Sequence, residues 1–261
     1  MTIVRALRAG ILSIALVGLS GAAHADGLDN IMKSKVIKIA VPQDFAPFGS
    51  AGPDLKPQGL DIDMANLIGK ELGVKVEIIA VSSANRIPYL QTKKADLVIS
   101  SLGKNPERAK VIDFSNAYAP FFSGVFGLKS IAVTKPADLA GKTIGATRGA
   151  IEEQELTKMA PASATVKRFE DNNATISAFV SGQVDLIATG NVVAASVSTK
   201  NPSRPAALKF LIKNSPCYVG MSKGEPKLMA KVNAIIAKAK GDGDLNKLSE
   251  KWLKNPLPAG F

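Results

Sequence analysis

The chain has 261 residues, of which 33 are Lys or Arg and 22 are Asp or Glu, so its formal net charge is +11. It contains one cysteine, Cys217, and one histidine, His24, so an internal disulfide is excluded. After residue 24 the sequence excludes a Ser-His-Asp triad, a Cys-His pair and any metal site that uses histidine, which leaves carboxylates, lysines and tyrosines as the chemically active side chains.

The N-terminus predicts a cleaved export signal. Arg5 and Arg8 precede an apolar run over 9–19, and Ala23-His24-Ala25 places small residues at the cleavage positions. The run is shorter than the roughly 20 residues of a membrane-spanning helix, and no later segment is long or apolar enough to span. We therefore expect residues 1–25 to be removed in export to the periplasm, leaving a soluble chain of 236 residues and charge +9. An uncleaved anchor is the alternative.

The first half of the exported chain has a βαβ rhythm. Apolar runs predict strands at 36–41, 75–81 and 96–100. Apolar residues at helical spacing predict helices over 61–72 and 85–92. Strands that alternate with helices in this way predict a mainly parallel sheet.

The same rhythm repeats in the second half. It predicts four strands and three helices, at 143–146, 165–169, 185–189 and 208–212 and near 151–159, 176–181 and 192–198. Two amphipathic helices follow, over 226–241 and 245–253. Because 236 residues can form two cores and no low-complexity linker separates the halves, we expect two α/β lobes joined by crossing strands.

Two consecutive motifs resemble the polar amino-acid family of periplasmic binding proteins. They are Ile87-Pro88-Tyr89-Leu90-Gln91 through Leu97, and Asn105-Pro106-Glu107-Arg108-Ala109 through Ser115. Supporting motifs occur in the family's order at 44–48, 59–63, 138–142, 182–185 and 248–252. The resemblance covers nearly the whole chain after the predicted signal peptide.

The resemblance implies two α/β lobes that are connected by two strands and close on a ligand like a hinge. By position, lobe 1 is 26–117 with 219–261, lobe 2 is 123–213, and the hinge strands lie near 118–122 and 214–218. The implied function is that of a monomeric receptor, with no cofactor or metal, that delivers an amino acid or related carboxylate to an ABC permease in the inner membrane. Because the lysines are scattered and the chain is exported, no nucleic-acid partner is expected.

Arg108 occupies the motif position whose arginine receives the ligand α-carboxylate in this family. A guanidinium offers a planar fork of donors that matches a carboxylate. The alternative is a surface ion pair with Glu107 or Asp113. Ser101 and Gly103 match the positions before the motif; relatives often carry a hydroxyl where Gly103 stands, so here only the amide remains.

The second lobe shows the same loss of a hydroxyl. Gly149-Ala150 stands at the family's Gly-Thr or Gly-Ser site. The backbone N–H groups of Ala150 and Ile151 would still lie at a helix N-terminus, where an anion is favoured. The sequence therefore predicts a carboxylate clamp that keeps its cation and amides.

The position that binds the ligand ammonium in relatives has lost its acid. Gly190 stands where the resemblance implies an Asp. Burying an ammonium without an anionic partner is costly, so either another group replaces the Asp or the ligand lacks an α-ammonium. The candidate replacements are the acids Asp44, Glu152 and Asp171 and the neutral acceptors Thr189 and Asn191. For the acids, a structural role at a helix N-terminus or in a loop is the alternative.

Two loops of lobe 1 supply further candidates. Phe45 is predicted to cover the ligand side chain, as aromatic residues do in the family, whereas Phe48 after Pro47 also fits a core position. Arg86, in the next loop, is predicted to bind a second acid on the ligand or to form a structural ion pair.

Two other functions share the fold implied by the resemblance. One is a cyclohexadienyl dehydratase, with Glu152 or Glu153 as proton donor. The other is a ligand sensor that signals to a membrane receptor. For the receptor, Arg108→Ala is expected to abolish stabilisation by ligand with little loss of intrinsic stability.

Overall fold

A computed structural model of the chain describes residues 26–261, so the predicted signal peptide lies outside the described residues. The strands in this range are β1 Val36–Val41, β2 Asp44–Phe45, β3 Gly49–Ala51, β4 Pro57–Gln58, β5 Lys75–Ala80, β6 Leu97–Leu102, β7 Ile112–Ala119, β8 Phe122–Gly127, β9 Thr143–Thr147, β10 Thr165–Phe169, β11 Leu186–Gly190, β12 Ala207–Asn214 and β13 Cys217–Ser222. The helices are α1 Gly27–Ser34, α2 Leu60–Leu72, α3 Arg86–Gln91, α4 Pro106–Val111, α5 Ile151–Met159, α6 Asn172–Val180, α7 Asn191–Lys200, α8 Pro226–Gly241 and α9 Asp244–Leu253.

Two five-stranded sheets organise these elements. The first has the order β5-β1-β6-β13-β7 and the second β10-β9-β11-β8-β12. In the first sheet β1 is parallel to β5 and β6, whereas β13 is antiparallel to β6 and β7. The second sheet repeats this arrangement, with β9 parallel to its two neighbours and β8 antiparallel to its two. A small sheet of β2, β3 and β4 lies in the loop before α2.

The predicted two-lobed α/β fold is confirmed, but each sheet is mixed rather than mainly parallel. In the two five-stranded sheets the antiparallel pairings all involve the strands around the two places where the chain passes between these sheets, from β7 to β8 and from β12 to β13. A strand that leaves one sheet and a strand that returns to it run in opposite directions. Sequence periodicity reveals the strands and not this direction.

Helix α2 shows why the predicted elements form. Its apolar residues Ile62, Met64, Ala65 and Ile68 are at most 4 % exposed and pack on the first sheet. The helix ends at Gly73, whose φ of 67° is the left-handed conformation that a helix C-terminus favours. All six residues of the central strand β6 are buried, as a strand covered on both faces requires.

An aromatic cluster connects the two lobes beside the crossing strands. It consists of Phe45, Phe48 and Phe121, whose ring centroids are 5.5 to 6.4 Å apart. Through these rings the core of the first lobe is continuous with apolar residues around Phe179 of the second. Within 26–261, no helix combines the length and the apolar character needed to cross a membrane.

Candidate functional site

The two lobes close over a cavity of about 10 Å³, roughly the space of one water molecule. Six of the predicted ligand-binding residues line it, namely Phe45, Arg86, Ser101, Ala150, Ile151 and Glu152. Asp44, Ser83, Phe121 and Asn172 are among the other lining residues. An amino acid is larger than this space, so the lobes must separate to admit one.

Arg108 is positioned by the start of α4. The side chain of Asn105 accepts a hydrogen bond from the Arg108 backbone N–H at 2.9 Å, and Pro106 provides the favoured first residue of the helix. The guanidinium is buried, and it donates from Nη1 to the Gly103 carbonyl at 2.7 Å and from Nη2 to the Gly149 carbonyl at 2.8 Å. Arg108 thus joins the segment of lobe 1 around Ser101 and Gly103, called the carboxylate loop below, to lobe 2.

The surface ion pair considered for Arg108 is not formed. Glu107 pairs with Lys110, and Asp113 pairs with Lys223. Burial and, second, the neighbouring charge of Arg86 together lower the pKa of Arg108 to about 9, while Glu152 opposes this shift. The side chain therefore remains a cation at neutral pH.

Arg86 is a second buried guanidinium in the same cleft. It donates from Nε to Ser83 O at 3.1 Å, from Nη1 to Ser100 O at 2.9 Å and from Nη2 to Gly149 O at 3.1 Å. Its partners are backbone carbonyls, so the predicted structural ion pair is replaced by a set of charge-assisted hydrogen bonds. Burial lowers the pKa of Arg86, and the charge of Glu152 opposes that shift.

Gly149 brings the backbone of lobe 2 against lobe 1. Its φ is 75°, and a Cβ on it would lie 2.7 Å from Ala84 Cα. The next residue, Ala150, donates its N–H to Thr147 O at 3.1 Å, so of the two N–H groups predicted to meet an anion, this one is already used. The Ile151 N–H lies at the first residue of α5.

Two acids face the cavity. Glu152, in the first turn of α5, is 4 % exposed, and burial raises its pKa while Arg86 and Arg108 lower it. Among residues 26–261 it has no ion pair within 4.0 Å. Asp44 crosses between the lobes, because its Oδ2 accepts from Asn172 N at 2.7 Å and from Asn172 Nδ2 at 3.0 Å.

Arg108 and Gly103 are not among the residues that line the cavity, and Arg108 lines an outer groove with Asn105 and Glu153. The other candidates outside the cavity are Asp171, Thr189 and Asn191. Asp171 caps α6 by accepting from Ala174 N at 2.7 Å, the structural role considered for it. Thr189 is buried within β11, where it pairs with Gly124. The Asn191 side chain accepts from Phe122 N at 3.4 Å and lines an outer groove with Trp252. The structure therefore places neither neutral acceptor where it would meet a ligand in the cleft.

The position of Gly190, where relatives carry an acid, has no room for a side chain in this structure. A Cβ on Gly190 would lie 2.3 Å from Cε2 of Phe121, so the ring occupies the space that a side chain at this position needs. Phe121 lies in the first crossing between the lobes, between β7 and β8, and is distant from Gly190 in sequence. Its role gives no local signal, and sequence reasoning missed it.

Asp61 supports the carboxylate loop from behind. Its Oδ2 accepts from Ser101 N at 2.7 Å and its Oδ1 accepts from the Tyr118 hydroxyl at 2.6 Å. Burial raises the pKa of Asp61 to about 7, although both hydrogen bonds lower it. The contact with Asp61 holds Ser101 at a φ of 41°, the left-handed region. The motif at 59–63 contains this residue, and the sequence analysis assigned it no role.

Two α/β lobes that close on a small cavity with buried cations define a ligand-binding protein of the two-lobed class. The chain matches the family of bacterial extracellular solute-binding proteins, family 3, over residues 37–255, and it belongs to that family.

Its relatives are binding proteins for amino acids by name. The glutamine-binding protein of a Bacillus subtilis ABC transporter is 28 % identical over 234 residues, which cover 88 % of this chain and 85 % of the relative. The L-cystine-binding protein of Escherichia coli K12 is 28 % identical over 250 residues and 93 % of each chain. The crystal structure of a cysteine-binding protein from Campylobacter jejuni superposes with a TM-score of 0.83 at 26 % identity, covering 90 % of this chain and 96 % of that one.

Proposed function

We propose that this protein is a periplasmic receptor that binds an amino acid or a related carboxylate and delivers it to an ABC importer. The observation that carries the proposal is Arg108, a buried guanidinium between the lobes whose side chain bonds only to carbonyls, one from each lobe. The names of the related binding proteins support the ligand class and the transporter.

Capture of the carboxylate follows from how the lobes separate. The Gly149 carbonyl belongs to lobe 2 and bonds to both Arg86 and Arg108. When lobe 2 moves away, one N–H of each guanidinium loses its acceptor while the bonds to lobe 1 remain. A carboxylate with two oxygens is a better acceptor for these cations than one carbonyl, so the open form binds it first. Closure then adds the contacts of α5.

Glu152 is the acid that we assign to the ligand amino group. The position of Gly190 is closed by Phe121, and Asp44 already accepts two hydrogen bonds from Asn172. Glu152 is buried, lines the cavity and has no ion-pair partner among the described residues. A ligand ammonium would offset the burial of this carboxylate. Phe45, which lines the same cavity, covers the ligand side chain.

The proposal also covers the lobe boundaries, the oligomeric state, export and the contact with the permease. Lobe 1 is assigned to 26–117 with 219–261, lobe 2 to 123–213, and the hinge to the two crossings near 118–122 and 214–218. The protein acts as a monomer, is exported by cleavage after residue 25, and presents its closed form to the permease without performing a reaction. The dehydratase alternative is not favoured, because the named relatives are binding proteins.

A thermal-shift screen of residues 26–261 tests the proposal. The panel holds L-cysteine, L-cystine, L-glutamine, L-arginine, small mono- and dicarboxylates and amines without a carboxylate. At least one amino acid or carboxylate should raise Tm, and the amines should not. Incubation with prephenate should release no phenylpyruvate; release would support the enzyme instead.

Arg108→Ala should abolish the Tm shift given by the best compound of this panel. The structure changes the expectation for intrinsic stability, because the variant also loses two hydrogen bonds to buried carbonyls and its unliganded Tm should fall. Arg148→Ala is the matched control, since Arg148 is half-exposed and pairs with Glu170 on the surface. Wild-type affinity in Arg108→Ala would refute the assignment.

A further inference from the structure

Ser215 lies in the second crossing between the lobes, just after β12. It is 3 % exposed, and its backbone N–H donates to Phe121 O at 3.0 Å, which ties the two crossings together. Its side-chain Oγ has no hydrogen-bond partner among residues 26–261 and is the one buried side-chain polar atom in that range without one. Buried hydroxyls nearly always have a hydrogen-bond partner, so the Ser215 hydroxyl is expected to bond to a group that is not part of residues 26–261.

The Ser215 hydroxyl points at the carboxylate loop. A Cβ placed on Gly103 would lie 2.4 Å from Ser215 Oγ and 3.3 Å from Cγ2 of Ile151. The Gly103 carbonyl is also the group that accepts from Arg108 Nη1 at 2.7 Å. The hydroxyl thus lies against Gly103, which contacts Arg108 through its carbonyl and lies near the side chain of Ile151 at the start of α5.

A side chain at position 103 is incompatible with the Ser215 hydroxyl in its present position. A separation of 2.4 Å is shorter than any real contact of a Cβ, and because the backbone at Ser215 is held by its bond to Phe121, the hydroxyl would have to rotate away. Gly103 itself is not in the left-handed region, so its backbone does not require glycine. The absence of a side chain there is explained by the space that Ser215 Oγ takes.

We propose that Ser215 is a ligand-binding residue that donates its hydroxyl to the ligand carboxylate in the closed form. It supplies from the hinge the hydroxyl that Gly103 lacks, beside the guanidinium that holds the same carboxylate. This inference rests on the proposed function, because it assumes a carboxylate ligand at Arg108.

Ser215→Ala tests the assignment by isothermal titration with the amino acid that gives the largest Tm shift in the wild-type screen. Its affinity should fall about 10-fold, the effect of losing a hydrogen bond to a charged group. The unliganded Tm should stay equal or rise, because the variant removes an unpaired buried hydroxyl. A purely structural serine would instead lower Tm and leave the affinity unchanged.

Ser249→Ala is the matched control. Ser249 is also a buried serine, but its Oγ donates to Asn255 O at 2.7 Å, within lobe 1 and away from the cleft. This variant should lower the unliganded Tm and keep the wild-type affinity, the reverse of what is expected for Ser215→Ala.

The double variant Gly103→Ser with Ser215→Ala removes the hydroxyl at position 215 and restores one at position 103, on the opposite side of the same contact. Removing Oγ opens the space for a side chain at 103, so affinity should return to within about threefold of wild type. Wild-type affinity in Ser215→Ala, or a double variant that binds no better than Ser215→Ala, would overturn the proposal. If no amino acid of the panel shifts the wild-type Tm, the proposed function itself fails and this inference fails with it.

Discussion

Gly149→Ala should prevent full closure of the lobes while leaving the protein folded. Gly149 has a φ of 75°, and its carbonyl accepts from both Arg86 and Arg108. A Cβ on it would lie 2.7 Å from Ala84 Cα and 3.0 Å from Ala84 N. Both atoms belong to the backbone of lobe 1, so no side-chain rotation relieves the overlap. The lobes themselves must move apart.

The size of the effect follows from these distances. An ordinary Cβ contact begins at 3.4 Å, so lobe 2 must retreat by about 0.7 Å at this point. Such a shift stretches the bonds from Arg108 and Arg86, now 2.8 and 3.1 Å long, to about 3.5 and 3.8 Å, beyond good hydrogen-bond length. These bonds belong to the unliganded closed form, because the ligand carboxylate replaces the Gly149 carbonyl. In the liganded form the same retreat of lobe 2 draws Glu152 of α5 away from the ligand ammonium, a charge-assisted contact of about 1.5–3 kcal/mol. We expect ligand affinity to fall about a hundredfold, or roughly 2.7 kcal/mol.

Isothermal titration against a matched control separates this effect from backbone strain. Gly141 has a similar φ of 70°, and a Cβ on it would meet no atom within 4 Å. Gly149→Ala and Gly141→Ala should each lose roughly 1 kcal/mol of stability from left-handed strain, a Tm decrease of about 2–4 °C. Only Gly149→Ala should lose affinity. Equal dissociation constants for the two variants would refute closure against Ala84.

Two further predictions concern buried groups of the cleft. Because burial raises the folded pKa of Asp61 to about 7 from 3.8, its contribution to stability is fully present below about pH 4 and is lost as the pH rises to about 7. Urea unfolding should therefore show that Asp61→Asn removes part of the wild-type decline in free energy of unfolding between pH 4 and 7; a difference that does not vary with pH would contradict this. Gly190→Asp should destabilise the fold by about 1–3 kcal/mol through overlap with Phe121. Phe121→Ala in the same chain should recover part of that loss, and strictly additive free energies would refute the contact.

Periodicity predicted much of the regular part of the fold but missed the short elements and also α1, β7 and β13. The strand β1 and the helices α2, α8 and α9 are long or strongly patterned, and their bounds agree with prediction within one residue. Helix α4 has six residues and was read only as a motif. The strands β2, β3 and β4 have two or three residues each, and β8 contains two glycines, so none of them carries a period-2 pattern.

Residue types singled out charged candidates for the site but not their partners. The motif pointed to Arg108, yet its bond to Gly149 depends on how the two lobes meet. Asn191 follows Gly190 directly in sequence but points to the outer groove, because a helix begins there and turns the side chain away. The spacing of residues along the chain does not reveal the direction in which the Asn191 side chain points.

At Gly103 and at Gly190 the space of the missing side chain is filled by a side chain from a distant position in the sequence. At Gly103 the space is taken by the hydroxyl of Ser215, so the chemistry of the site is kept. At Gly190 it is taken by the ring of Phe121, so a carboxylate is replaced by an apolar surface. Under the proposed function, the first replacement would preserve recognition of a carboxylate, and the second would move recognition of an amino group to α5. Because Glu152 there lies on the same helix start as Ile151, both ends of a small ligand would meet one element of lobe 2, and closure would depend on both.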